Sequence, residues 1–255
     1  MGPITAEDCP IQVFAPPYER FSDGADGIFT AGQAPAGCAL VWWLVDGQRQ
    51  GPDFDRLRAR PPGVPLVIML PPAREISRTL PLLNYVMSLH PRSVLPAVYL
   101  GTPEHVRLVL STPPESLAGA ITRYLGRRGL FRTSGIEREV QRIFELAPEV
   151  PSVTKLARRM YASRRTLGRH FAAAGLPVPS HWLQFARVLH VCLHLQTDES
   201  AIFRIATRFG YPDGFTLSNQ MKRLIGYRPS EIREYLGWEW IVETWLRKEG
   251  AVGQG

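Results

Sequence analysis

Ile205-Ala206-Thr207-Arg208-Phe209-Gly210-Tyr211-Pro212-Asp213-Gly214-Phe215-Thr216-Leu217-Ser218-Asn219-Gln220-Met221-Lys222-Arg223-Leu224-Ile225-Gly226 is the stretch on which the reading of this chain turns. Ile202, Ile205, Ala206 and Phe209 share one face of a helix over Ile202–Phe209. Gly210-Tyr211-Pro212-Asp213 interrupts it, with Asp213 placed to cap a second helix over Gly214–Ile225. Leu217, Met221 and Leu224 point inward along that helix, and Gly226 ends it. A helix, a tight turn and a second helix with a polar outer face make the shape that enters a DNA major groove.

The same plan occurs about fifty residues earlier. Val153–Met160 places Val153, Leu156, Ala157 and Met160 on one face, Tyr161-Ala162 breaks the helix, and Ser163 caps Arg164–Ala174. Leu167, Ala174 and either His170 or Phe171 are expected inside, with Arg164, Arg165 and Arg169 outside, and Gly175 terminates. The units are thus expected at 152–175 and 201–226. Between them Ser180–Leu195 forms a linking helix that buries Trp182, Leu183, Ala186, Leu189 and Leu193. One such helix can hold two readers about one DNA turn (~34 Å) apart, so that both enter successive major grooves.

Charge points to the same partner. Residues 1–130 hold 12 Arg, no Lys and 11 acids, whereas residues 152–236 hold 13 Lys and Arg against 5 acids. A basic excess confined to one half suits a polyanion, and double-stranded DNA is the usual one. The plain alternative for each arginine is a solvated surface charge.

Proline marks two halves, since 17 of 23 lie in residues 1–130. There, Ile11–Phe14, Leu40–Val45, Val64–Leu70, Val94–Leu100 and Val106–Leu110 read as strands. Phe54–Arg60, Glu75–Leu89 and Glu115–Leu125 read as helices. Alternation of this kind predicts an α/β layer fold with a mainly parallel sheet. After Ile136 the pattern is helical almost throughout and ends in a helix over Trp238–Lys248, rich in tryptophan, whose stripe Trp238, Ile241, Val242, Trp245 and Leu246 reads as core. A homodimer or RNA polymerase contact is the other use for that stripe.

Several function classes find no support in the residues. The run Cys38–Val45 is too short to cross a bilayer, and Glu7 and Asp8 stand where a secretory signal needs basic residues, so a cytoplasmic protein is expected. Cys9, Cys38 and Cys192 have neither disulfide nor metal spacing. His190 and His194 flank Cys192, but their place on the linking helix favours packing over metal binding. Catalytic residues, metal ligands and cofactors are all expected to be none; no triad, paired carboxylates or phosphate loop is present.

The residues now carry a resemblance. Ile205-Ala206, Phe209-Gly210-Tyr211-Pro212-Asp213, Lys222 and Gly226-Tyr227-Arg228-Pro229-Ser230-Glu231-Ile232-Arg233 resemble the DNA-binding domain of the bacterial AraC/XylS regulators. Leu156-Ala157, Ser163, Leu167, Arg169, Phe171 and Arg187 extend the resemblance over Ser152–Leu236, with Met221 in place of the family's usual Phe. It implies base-reading positions at Arg165, Gly168 and Arg169 in the first reader and at Phe215, Ser218 and Asn219 in the second. Gly168 has no side chain to read with. Arg165 and Arg169 suit a guanine edge, Phe215 a thymine methyl, and Asn219 an adenine. Arg164, Thr166, Lys222 and Arg223 suit phosphate.

Residues 1–130 do not look like the cupin barrel common in that family. Ala39–Val45, Phe54–Arg58, Val64–Leu70 and Arg107–Leu117 are similar instead to parts of a degenerate response-regulator receiver. Ser111 and Thr112 stand where a receiver has its Lys, and Asp46 is the sole acid near the right strand end, so no phosphorelay chemistry is expected. The expectation is therefore a receiver-like α/β domain over 1–130, regulatory or dimerising, and an all-α double helix-turn-helix domain over 131–255. Its function would be sequence-specific transcription regulation. The rival is an enzymatic or small-molecule-binding α/β domain, with the helical half as a DNA-targeting or interaction module.

Overall fold

The computed structural model describes residues 11–30, 34–44, 52–71, 83–96 and 102–251. The chain divides into two compact units, Met1–Thr112 with Glu234–Trp240, and Pro113–Arg233 with Ile241–Gly255. The first unit thus runs to Thr112 and takes in a late segment.

In the first unit β1 (Ile11–Phe14), β2 (Ala39–Trp43), β3 (Leu66–Leu70) and β4 (Ser93–Pro96) form one sheet in the order β1-β2-β3-β4. β2, β3 and β4 run parallel, as expected. β1 is antiparallel to β2, with Ile11 opposite Trp42 and Phe14 opposite Ala39, so the sheet is mixed. The mainly parallel, receiver-like sheet expected is thus met in part, by β2, β3 and β4, and the described sheet is a small mixed one.

The runs Ala39–Trp42 and Leu66–Met69 are buried throughout because both faces of the sheet are covered. Leu40, Trp42, Leu66 and Ile68 meet Ile28 of α1 (Ala25–Thr30), Leu57 of α2 (Pro52–Arg58) and Val86 of α3 (Leu83–Ser88). Ala39, Val41, Val67 and Met69 face the other way, toward Val106 and Leu110 of α4 (Pro103–Ser111). Val106–Leu110 is thus helix and not strand. Pro103 opens it and the i,i+4 pair Val106/Leu110 supplies its buried edge, a pattern that a five-residue apolar run cannot separate from a strand. Val45 and Asp46, the part of the expected Glu75–Leu89 helix before Leu83, and residues 97–100 of the expected fourth strand lie outside the described residues.

Glu234–Trp240 completes the second face of the sheet. The Tyr18 hydroxyl donates to Gly37 O at 2.8 Å and accepts the Leu236 N–H at 2.8 Å. Gly37 must be glycine here, since a Cβ would stand 2.3 Å from that hydroxyl and 3.0 Å from the Tyr235 ring, with φ at +70°. Arg92 pairs with Glu239 at 3.4 Å, donates to Thr112 O at 2.7 Å and lies over Trp238. Leu236, Trp238 and Trp240 are buried.

The second unit is helical. α5 (Leu117–Arg127) and α6 (Ser134–Leu146) begin at the caps Ser116 and Thr133, whose side chains accept from Gly119 N and Ile136 N. The last helix, α13 (Glu239–Lys248), lends this unit all but its first two residues, and its Glu243 is buried. Tyr124 and Arg128 donate to Glu243 Oε1 at 2.6 and 2.7 Å, so the carboxylate is partnered. Trp245 of the same helix stacks on Phe185 at 4.2 Å and 3° and meets Trp182 edge-on at 4.6 Å. Phe144 and Phe171 close around Trp182. The tryptophan stripe is therefore core, and Trp238, Trp240 and Trp245 offer no exposed ring to a partner.

Burial pushes the Cys38 thiol up to about 11 and raises that of Cys192 further. The thiolate is the reactive form, so neither should react with iodoacetamide at pH 8 in the native protein, and both should react in denaturant. Mass spectrometry of the alkylated protein reads this directly; native labelling of Cys192 would contradict its placement.

Candidate nucleic-acid interface

The first helix-turn-helix consists of α7 (Val153–Arg159) and α8 (Arg164–Ala173). Ser152 and Ser163 cap them, accepting from Lys155 N and Thr166 N. α7 buries Leu156 and Ala157, and α8 buries Leu167 and Phe171. Arg164, Arg165 and Arg169 are exposed on α8, as the sequence reading requires. His170 is exposed rather than inward, with Nδ1 2.6 Å from Glu139 Oε1, so the choice between His170 and Phe171 falls to Phe171. Thr166 is half-buried, and its hydroxyl lies 2.8 Å from that of Ser163, which makes it part of the cap. A Cβ at Gly168 would meet nothing, so the reading face has an open gap there.

α9 (Pro179–Thr197) is the linking helix, started by Pro179, whose missing N–H costs nothing at that position. Its 19 residues give a length of about 28 Å at ~1.5 Å per residue. His190 of this helix is half-buried with Nε2 3.3 Å from Phe144 O, and burial holds its pKa below the usual histidine range. His194 lies 2.8 Å from Asp198. Among the described residues no three His, Cys, Asp or Glu are grouped as a metal site.

α10 (Ile202–Arg208) and α11 (Gly214–Ile225) form the second helix-turn-helix. α10 buries Ile205 and Ala206; α11 buries Leu217, Met221, Leu224 and Ile225. Met221 fills the core slot without loss of burial. Phe215, Thr216, Asn219, Lys222 and Arg223 are exposed, and Ser218 is half-buried. Asp213 caps α11 by accepting from Thr216 N at 2.6 Å, and that N–H holds its carboxyl below the usual range.

The two turns superpose in their hydrogen bonding. Ala162 N donates to Ala157 O and Tyr211 N to Ala206 O, each at 2.9 Å. Both turns need a left-handed residue. The second uses Gly210 at φ +72°, whereas the first places the fully exposed Tyr161 at φ +53°, a conformation bulky residues rarely hold.

Contacts distant in sequence fix the second reader. Arg187 of α9 donates to Phe209 O at 2.7 Å and lies 5.0 Å over the Tyr211 ring, gripping the turn. Arg223 donates to Gln184 at 2.8 Å, so this expected phosphate contact also ties α11 to α9. Lys248 donates to Lys222 O and Arg223 O at 3.3 and 3.0 Å, a cation at the carbonyl end of α11. Lys248, Gln184 and the Glu139 partner of His170 carried no sequence signal as site residues. After the reader, α12 (Pro229–Ile232) is held by the Arg228 N–H donating to Glu231 at 2.5 Å.

Arg187→Ala should cost ~1.5–3 kcal/mol, as for a hydrogen bond from a charged donor. Hydrogen exchange should rise at Gly210–Thr216 with little change at Ser163–Leu167. Equal loosening of both units would show that Arg187 supports the whole unit instead of this turn.

These two units, with the same turn hydrogen bond and each with its second helix capped by a side chain, define a helix-turn-helix protein. A family model described as a helix-turn-helix domain matches residues 156–235, covering both units, and supports the resemblance to AraC/XylS regulators. The chain therefore carries a helix-turn-helix domain over 156–235, which supports a DNA-binding transcription regulator. No curated protein matches this chain. Among the described residues no helix is long and apolar enough to cross a membrane.

Proposed function

We propose that the chain is a sequence-specific transcription regulator whose α8 and α11 enter successive major grooves of double-stranded DNA. The observation that carries this reading is the pairing of two readers, each capped by a side chain accepting from the N–H three residues on, at either side of a linking helix nearly one DNA turn long. Arg165, Arg169, Phe215, Ser218 and Asn219 are the base-reading residues in this reading, and Arg164, Lys222 and Arg223 the phosphate partners. The first unit has a non-catalytic regulatory or dimerising role. What supports it is Glu234–Trp240, a stretch after α12 that runs into the first two residues of α13 and belongs to that unit.

The test is selection of the full-length protein against a randomised duplex pool at two salt concentrations. A defined motif, with affinity that falls as salt rises, is the expected result. Salt-sensitive but sequence-blind binding would reduce the interface to electrostatics and remove the base-reading roles. Absence of binding would overturn the proposal.

A further inference from the structure

The two turns make the same hydrogen bond and fill the same backbone position with unlike residues. In the second turn the left-handed residue is Gly210, and the Arg187 guanidinium lies 3.5 Å from where its Cβ would stand. In the first turn it is Tyr161, at φ +53°, with its N–H donating to Arg158 O at 3.1 Å. Glycine holds that conformation freely, whereas a residue with a Cβ crowds its own backbone there. Nothing in the fold offsets the strain, because Tyr161 is 100% exposed. Backbone strain of this kind collects at functional positions.

The surroundings show what the ring is held out for. Residues 152–175 carry no acid, while Lys155, Arg158 and Arg164 are exposed on the two helices that the turn joins. Glu149, the nearest acid along the chain, is already paired with Arg159 at 2.7 Å. Tyr161 therefore stands in a wholly cationic stretch, which suits a polyanion better than an acidic or apolar patch of its own fold.

When a helix-turn-helix sits on DNA, its first helix crosses the phosphate backbone and the start of its second enters the groove. The turn joins those two places, so its exposed residue comes out beside the phosphates that border the groove. A tyrosine hydroxyl is one of the side-chain donors that phosphate oxygens accept from. Resting on the DNA-reading function proposed above, we infer that Tyr161 donates to a backbone phosphate beside the first reader. It positions α8 and reads no base, and the fold keeps a strained turn to present it. Gly210 offers no group at the matching place in the second turn.

The test compares the full-length protein with Tyr161→Phe and Tyr161→Gly, on the selected duplex and on random duplex, at several salt concentrations. Tyr161→Phe keeps the ring and the strain and loses only the hydroxyl. It is expected to bind both duplexes about fivefold more weakly, with Tm unchanged. The salt slope should stay the same, since a neutral hydroxyl releases no counterion, whereas a lost Lys or Arg contact lowers it by about 1. Tyr161→Gly should lose at least as much affinity while its Tm rises by about 2–4 °C as the turn relaxes. A lower Tm for Tyr161→Gly would contradict the strain. Parent-like affinity of Tyr161→Phe for both duplexes would overturn the inference, leave sequence-specific binding standing and give the ring to a protein partner. A loss confined to the selected duplex would overturn it too, because Tyr161 would then read a base. Absence of any DNA binding by the parent would overturn the function proposed above along with it.

Discussion

Replacing Arg165 and Arg169 together with alanine is expected to weaken binding to the selected operator by about thirty-fold to about twenty-thousand-fold. Each bidentate arginine contributes ~1–3 kcal/mol of discrimination, and ~1.4 kcal/mol is one decade in affinity. The pair lies four apart on the exposed face of α8, one turn of helix, so both can face one groove. Neither takes part in the fold as Arg187 or Arg223 does, and α8 keeps its cap at Ser163 and its anchor at Phe171. The variant should therefore melt like the parent. Affinity for the selected duplex should approach that for random duplex, which separates lost readout from lost charge. Lys222→Ala is the contrast: binding to all duplexes should weaken alike and the salt slope should fall by about 1. If the double variant loses the same factor on selected and random DNA, the two arginines only attract phosphate.

Trp245→Ala is expected to be the most destabilising single change in the helical unit, at ~3–5 kcal/mol. For a chain of this size that lowers Tm by about 6–20 °C, at ~2–4 °C per kcal/mol. Trp245 has no exposed surface, stacks on Phe185 and meets Trp182, which in turn touches Phe171 of the first reader. Its loss should loosen α8 as well, so operator binding should weaken at temperatures where the variant is still folded. Trp245→Phe supplies the control. It keeps a ring on Phe185 and removes an indole N–H that has no hydrogen-bond partner among the described residues, so its cost should be well below that of alanine. Calorimetry of the three proteins decides the matter, and equal Tm values for alanine and tryptophan would contradict the packing described.

The helix-turn-helix units were legible because their signals are local. Ser163, Asp213, Gly210 and Gly226 each act within a turn of themselves, and the buried positions follow one helical period. His170 and Phe171 straddle the edge of that face, and periodicity alone could not choose between neighbours. The clamps on the second reader were not legible as clamps, although Arg187 carried part of the resemblance. Gln184, Arg187 and Lys248 reach it from 22 to 39 residues away, and nothing in a lysine or glutamine announces such a partner. In the first unit the strands β2 and β3 were readable as fully apolar runs, but β1 gave no sign of its direction, which the pairing with β2 decides. Trp238 and Trp245 are seven residues apart and read as one stripe. The helix begins only at Glu239, and Trp238 and Trp240 belong to the first unit.

That late segment has a consequence for how the protein is made. The first unit consists of the chain up to Thr112 and of Glu234–Trp240, with the helix-turn-helix domain encoded between them. A ribosome adding ~5–20 residues per second needs about 6–24 s to travel from one part to the other. Through that interval the nascent sheet has Val41, Val67 and Met69 in place but lacks Leu236, and the Tyr18 hydroxyl lacks its Leu236 N–H. The α/β unit, begun before the DNA-reading helices, is therefore completed only after them, and part of one apolar sheet face waits for Leu236 while those helices are still being synthesised.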